Sequence, residues 1–114
     1  MAKNLFLNPK LFAADVEQIP TRNGYGDGLV ELGKEDERVV VLTGDLAEST
    51  RAHLFQKAYP KRFFECGVAE QNMMGVAAGL ALAGKVPFVS SYAVFVPGRN
   101  WDQLRVSVCY TNAN

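Results

Sequence analysis

Val39-Val40-Val41-Leu42-Thr43-Gly44-Asp45 is the stretch on which the fold turns. Four apolar residues stand in a row, three of them β-branched, with no polar residue between them. A strand wetted on one face alternates apolar and polar residues. This one does not, so it reads as buried on both faces, as in a parallel sheet covered by helices. Thr43-Gly44-Asp45 leads out of it. Ser49 or Thr50 is placed to cap the next helix, which carries Leu54, Phe55 and Ala58 and stops at Pro60. Phe63-Phe64-Glu65-Cys66 makes a second, short strand that Gly67 breaks.

Residues 70–84 give the clearest helical signal. Met73, Val76, Ala77, Leu80 and Ala81 recur at helical spacing. Gly75, Gly79 and Ala83 form a second stripe with almost no side chain. A glycine costs about 1 kcal/mol inside a helix relative to alanine. Two at this spacing predict a second backbone packed close by, and Gly84 ends the helix. Val86 to Tyr92 is the third strand. Pro97 suits the first turn of a last helix with Trp101, Leu104 and Val108, although Arg105 to Tyr110 also reads as an alternating strand. Upstream, residues 22–37 form a helix with a glycine-rich start. Residues 1–20 form an arm in which Lys10 to Ile19, between Pro9 and Pro20, makes a short amphipathic helix of Leu11, Phe12, Val16 and Ile19.

Helices therefore alternate with strands. This predicts an α/β fold, an open parallel sheet with helices on both faces and right-handed crossovers. Three strands make a small sheet, and the chain stops after a helix, so an incomplete domain, truncated or completed by another chain, is expected.

Composition narrows the function. The chain has 114 residues, and twelve Lys+Arg balance twelve Asp+Glu. Zero net charge leaves no broad footprint for nucleic acid, and Lys57, Lys61 and Arg62 read as a solvated helix end. No run of about 18 apolar residues is present to span a membrane. Met1 to Phe12 lacks the apolar block of a secretory signal. Cys66, Cys109 and His53 lack metal-ligand spacing, so no metal site is expected. Two unclustered cysteines suit a reduced, cytoplasmic chain.

Ligands of open α/β sheets bind beyond the carboxyl ends of the strands. That rule selects Asp45 and Glu48, then Gly67 and Glu70, then Ser90, Ser91 and Tyr92 with Phe95 and Arg99 following. A plainer reading makes Asp45 and Glu70 helix N-terminal acids that complement the macrodipole. Helix N-termini favour ionised carboxyls, while burial favours the neutral acid. A carboxyl between those pulls can hydrogen-bond a ring nitrogen and pass a proton, and Glu70 stands at such a place.

Gly67-Val68-Ala69-Glu70-Gln71-Asn72-Met73 closely resembles the segment around the catalytic glutamate of transketolases, in the domain that binds the pyrimidine ring of thiamine diphosphate. Four flanking stretches agree in order and spacing: Thr21-Arg22-Asn23-Gly24-Tyr25-Gly26, Leu42-Thr43-Gly44-Asp45-Leu46, Arg62-Phe63-Phe64-Glu65, and Pro87 to Phe95. The resemblance covers residues 21–114 and is strongest to the pyrimidine-domain subunit of a split transketolase, whose two halves are separate chains.

The resemblance implies roles. Glu70 matches the glutamate that protonates the pyrimidine ring nitrogen, and the cofactor then carries a two-carbon ketol unit between sugar phosphates. Asp45 matches an aspartate near the cofactor. Tyr92 and Phe95 match aromatics packed around the pyrimidine; their alternative is plain core. Gly98 stands where many relatives carry another aromatic. Arg99 and Asp102-Gln103 lie near the same rim, as site groups or as structural ion pairs. Gly26-Asp27-Gly28 imitates the family's metal motif but opens a helix and lacks the Asn-Asn pair that should follow. Magnesium and the diphosphate are therefore assigned to a diphosphate-domain transketolase subunit, leaving the pyrimidine half-site here. The family's domain continues past the position of Asn114 to a substrate-touching histidine, which His53, on a different helix, does not replace.

Two further readings stand beside this one. The A-E-Q segment and a related Asp-Gln pair also occur in deoxyxylulose-phosphate synthase and beta-type 2-oxoacid dehydrogenase subunits, although residues 86–96 fit transketolase better. A non-catalytic, self-associating module is the other, with the Gly75, Gly79, Ala83 stripe as a close contact in a homo-oligomer.

Overall fold

The computed structural model describes residues 7–114. The first six residues of the arm lie outside the described residues. The elements are α1 (Thr21–Glu35), β1 (Val39–Thr43), α2 (His53–Ala58), β2 (Phe63–Glu65), α3 (Glu70–Leu82), β3 (Val86–Ser90) and α4 (Trp101–Gln103). A 3₁₀ turn, Pro60–Arg62, leads into β2, and α4 widens into π-helical turns over Leu104–Cys109.

The three strands are parallel in the order β2-β1-β3. β1 is central and buried along its whole length, as its unbroken apolar run predicts. Its side chains divide between two cores. Val39 and Val41 meet Leu29 of α1 with Ala52 and Phe55 at α2. Val40 and Leu42 meet Met73 and Ala77 of α3. Helices thus cover both faces, because a strand apolar on both sides has two surfaces to remove from water. Each of these larger side chains gains about 1.5–3 kcal/mol from full burial.

The outer edge of β3 is bare among the described residues. Val86 donates its N–H toward Arg38 on the β1 side, so Pro87 and Val89 turn their main chain outward. A proline there removes one free donor from the exposed edge.

Several expectations are corrected. Lys10 to Ile19 is not helical but a series of tight turns, with Leu11, Ala13 and Val16 each donating to the carbonyl three residues back. Phe12 is 98% exposed. Without a surface to pack on, so short a helix does not hold itself in water. Neither Ser49 nor Thr50 caps α2, which begins at His53 behind Ala52 with no side-chain cap. The Thr50 hydroxyl instead donates back to the Leu46 carbonyl. β3 ends at Ser90 rather than Tyr92, because Thr43↔Ser90 is the last pairing that β1 offers. Pro97 lies in the turns before α4 rather than in its first turn, and the Arg105 to Tyr110 segment is helical rather than a strand.

Arg62 is more than a solvated helix end. Its guanidinium lies 4.1 Å from the Tyr59 ring centroid and donates to the carbonyls of Gly33, Asp36 and Val39. It thereby supplies donors to the otherwise open C-terminus of α1.

Gly26 of the apparent metal motif has a packing explanation. A Cβ there would sit 2.7 Å from the Arg51 Cβ and 2.9 Å from the Arg51 carbonyl oxygen. α1 crosses the α2 segment at this point. The Gly75 and Gly79 stripe, by contrast, faces open space within the chain. The close backbone predicted for it is not found among the described residues.

Candidate functional site

The carboxyl ends of the strands lie level, since Thr43 pairs with Glu65 on one side and Ser90 on the other. The chain leaves β1 toward β2, then crosses back beneath the sheet to β3. The switch point of this order lies between β1 and β3, where such sheets open a crevice for ligands.

β1 and β2 are clamped together where they leave the sheet. The Glu65 carboxylate accepts the N–H of Asp45 at 2.7 Å and of Gly67 at 2.9 Å through one oxygen. Cys66 donates its N–H to the Thr43 carbonyl at 2.8 Å. Asp45 itself takes a left-handed backbone conformation (φ 60°), and Gly67 does so as well (φ 66°). Such turns cost an Asp little and a Gly nothing. The clamp fixes the two loops that border the crevice on this side. Burial and the Glu65 charge together push the Cys66 thiol up from its ordinary pKa.

Glu70 is the first residue of α3, with no side-chain cap ahead of it. Its side chain is 7% exposed and accepts a hydrogen bond from Arg99 Nη1 at 2.9 Å. From the same loop, buried Asn100 donates Nδ2–H to the Glu70 carbonyl oxygen at 3.1 Å. Adjacent residues of one loop thus hold Glu70 by its carboxylate and by its backbone. The Arg99 guanidinium also lies 4.3 Å from the Phe95 ring centroid. Phe95 in turn stacks on Tyr92 at 6.1 Å between centroids, the planes 27° apart.

Two cavities meet at this pair. One, of about 240 Å³, is bounded by Gly44, Asp45, Leu46, Phe95 and the Glu70–Arg99 pair. The other, of about 490 Å³, is lined by Val68, Ala69, Gln71 and Asn72 with the same pair. Asp45, Glu70 and Phe95, expected from the sequence, thus come together, and Tyr92 reaches them through its stack on Phe95. His53 lies on α2, its ring beside the Ala47 carbonyl.

A third cavity, of about 500 Å³, opens at the switch point against Tyr92. It is lined by Thr21, Arg22 and Tyr25 of α1, by Ser49 and Thr50, and by Ser90 and Ser91. The Tyr25 hydroxyl is hydrogen-bonded to Ser90 Oγ. Burial raises its pKa, an effect that this hydrogen bond partly opposes. Ser91 Oγ is buried without a partner. Sequence reasoning missed Arg22, Tyr25 and Ser49 as site residues. The one signal for Arg22 and Tyr25 is the Thr21–Gly26 stretch, whose helix begins at this crevice; Ser49 reads only as a candidate helix cap. Sequence reasoning also missed the Glu65 clamp and Asn100, which depend on contacts across the fold.

A parallel α/β sheet with a nearly buried carboxyl and stacked aromatics beyond its strand ends has the architecture of the open parallel class, whose members bind ligands at that end. The family described as "Transketolase, pyrimidine binding domain" matches residues 17–114, and the chain belongs to it. A putative transketolase C-terminal section from Methanocaldococcus jannaschii is 53% identical over 93 residues, covering 82% of this chain and 29% of the relative. The 6-deoxy-6-sulfo-D-fructose transketolase subunit SqwH of a Clostridium species is 41% identical over 103 residues, covering 90% of this chain and 32% of that subunit. Among solved structures, a split gene transketolase, an inactive beta4 tetramer, is 54% identical with a TM-score of 0.74, covering 83% of this chain and 32% of that one. The chain therefore spans about a third of the length of these relatives. No helix among the described residues is long and apolar enough to cross a membrane.

Proposed function

We propose that this chain provides the pyrimidine half of a thiamine diphosphate site in a split transketolase, completed by a diphosphate-domain subunit that holds magnesium. One observation carries the reading. The Arg99 guanidinium is a planar, nitrogen-bearing group that lies over Phe95 while donating to the nearly buried Glu70 carboxylate. The spacing between ring and carboxylate therefore suits a flat heteroaromatic ring that stacks on one and hydrogen-bonds the other. Thiamine diphosphate, when bound, supplies the electron sink that lets a ketose give up a two-carbon unit.

The chain's residues have separate tasks. Glu70 holds a proton at a ring nitrogen, Phe95 and Tyr92 support the ring face, and Asp45 lines the far wall. The cavity at Arg22 takes the acceptor or donor sugar. Its cation, its hydroxyls and the N-terminus of α1 suit the anionic end of a sugar phosphate. The proposed working assembly is cytoplasmic.

A second reading has its own support. α3 exposes Gly75, Val76, Gly79 and Leu82, and the solved relative is described as an inactive tetramer. On that reading copies of this chain associate through α3 without turnover.

The test is Glu70→Gln in the complex with a diphosphate-domain subunit, assayed with ketose phosphates. Loss of a positioned proton donor lowers kcat by about 10²–10⁴-fold, with the assembly unchanged by size-exclusion chromatography. Full activity in the variant, or none in the unaltered complex, contradicts the proposal.

A further inference from the structure

The Glu70–Arg99 pair has a property that neither its charge nor its burial requires: it lies on the boundary between the 240 Å³ and 490 Å³ cavities, and both residues line both. Val68 lines both as well, so the two cavities share one rim. The Arg99 guanidinium covers the face of Phe95 and takes up the Glu70 carboxylate oxygen in a single pose.

We infer that Arg99 is an internal latch that occupies the ring site when no ligand is bound, and that it must swing out before a heteroaromatic ring can enter. This rests on the half-site reading above. The mobile and fixed parts are distinguishable. Asn100 is wholly buried and tied to the Glu70 carbonyl, which anchors the loop backbone to α3. The Arg99 side chain is 51% exposed and carries several rotatable bonds. A change of rotamer releases it into solvent without moving the loop. Nothing else must rearrange, since Phe95 stays stacked on Tyr92.

The latch has a second consequence. A guanidinium left beside Glu70 would face a ring that carries a proton, like charge against like. Departure of Arg99 therefore favours the same state that Glu70 serves.

The size of the effect follows from the pair. A half-exposed ion pair reinforced by stacking closes the site most of the time but not permanently. A ligand that binds only the open state then associates more slowly by the open fraction, while its dissociation is unaffected. Removing the latch is expected to speed association about fivefold.

The experiment follows thiamine diphosphate, at saturating magnesium, binding to the complex of this chain with a diphosphate-domain subunit. Stopped-flow quenching of protein fluorescence gives both rate constants for the unaltered chain, Arg99→Ala and Arg99→Lys. Faster association in Arg99→Ala at an unchanged dissociation rate, with Arg99→Lys between the two, is the expected result. Lysine keeps the charge but loses the planar stack. Association that is unchanged or slower in Arg99→Ala overturns the latch while leaving the half-site reading intact. Absence of saturable binding to the unaltered complex overturns both.

Discussion

Gly44 and Gly67 touch through their backbones: a Cβ on Gly44 would stand 2.8 Å from the Gly67 carbonyl oxygen. The oxygen belongs to main chain held by the Glu65 clamp, so it has little room to retreat. Gly44→Ala should push the exits of β1 and β2 apart. The expected loss is about 1–3 kcal/mol in a denaturant titration, with displaced Asp45 and Gly67 amide resonances. An alanine variant of unaltered stability would show that the clamp yields.

Asn100 is buried at the point where its loop meets α3. Asn100→Asp removes the donor to the Glu70 carbonyl and sets a buried carboxylate against that oxygen. Destabilisation by about 2–4 kcal/mol is expected near neutral pH, measured as the shift in unfolding midpoint. Asn100→Ala should cost less, since it leaves a cavity but no buried charge.

Cys66 and Cys109 should separate chemically. Cys109 is exposed, whereas Cys66 is partly buried and its thiol is raised by burial and then by the Glu65 charge. The thiolate is the reactive form, so at pH 8 alkylation mapped by mass spectrometry should reach Cys109 first. Unfolding should bring Cys66 level. The sign of the pH effect follows: the folded chain holds the Cys66 proton more tightly than the unfolded chain. This contribution is fully present below the unfolded-state pKa and is lost as pH rises through the folded one. Stability should decline above about pH 9, and Cys66→Ser should blunt the decline. Burial of Tyr25 acts in the same direction at higher pH.

How far the sequence discloses this fold depends on how local each signal is. Val39–Leu42 is legible because four contiguous apolar residues need burial on both sides wherever they sit, and α3 because its apolar period is long. The arm misleads because Leu11, Phe12, Val16 and Ile19 mark an amphipathic face, yet a face forms a helix only against a surface. Thr50 resembles a cap because capping residues and back-bonding residues are the same types. In the site, Glu70, Asp45, Tyr92 and Phe95 are legible from motif order, and their proximity in the structure follows from level strand ends. Arg99 and Asn100 act on Glu70 from some thirty positions away. No periodicity or propensity carries that contact, which arises only when β3 lands beside β1 and its loop folds back onto α3.

The central claim is that the pyrimidine half-site of this chain works only with a diphosphate-domain partner. The most direct measurement is a calorimetric titration of thiamine diphosphate with magnesium into the chain alone, the partner alone and the two together. Saturable heat for the mixture, absent from the chain alone and much reduced in a mixture carrying Glu70→Gln, is the predicted result. Equal heat with and without this chain, or no heat in the mixture, would contradict it.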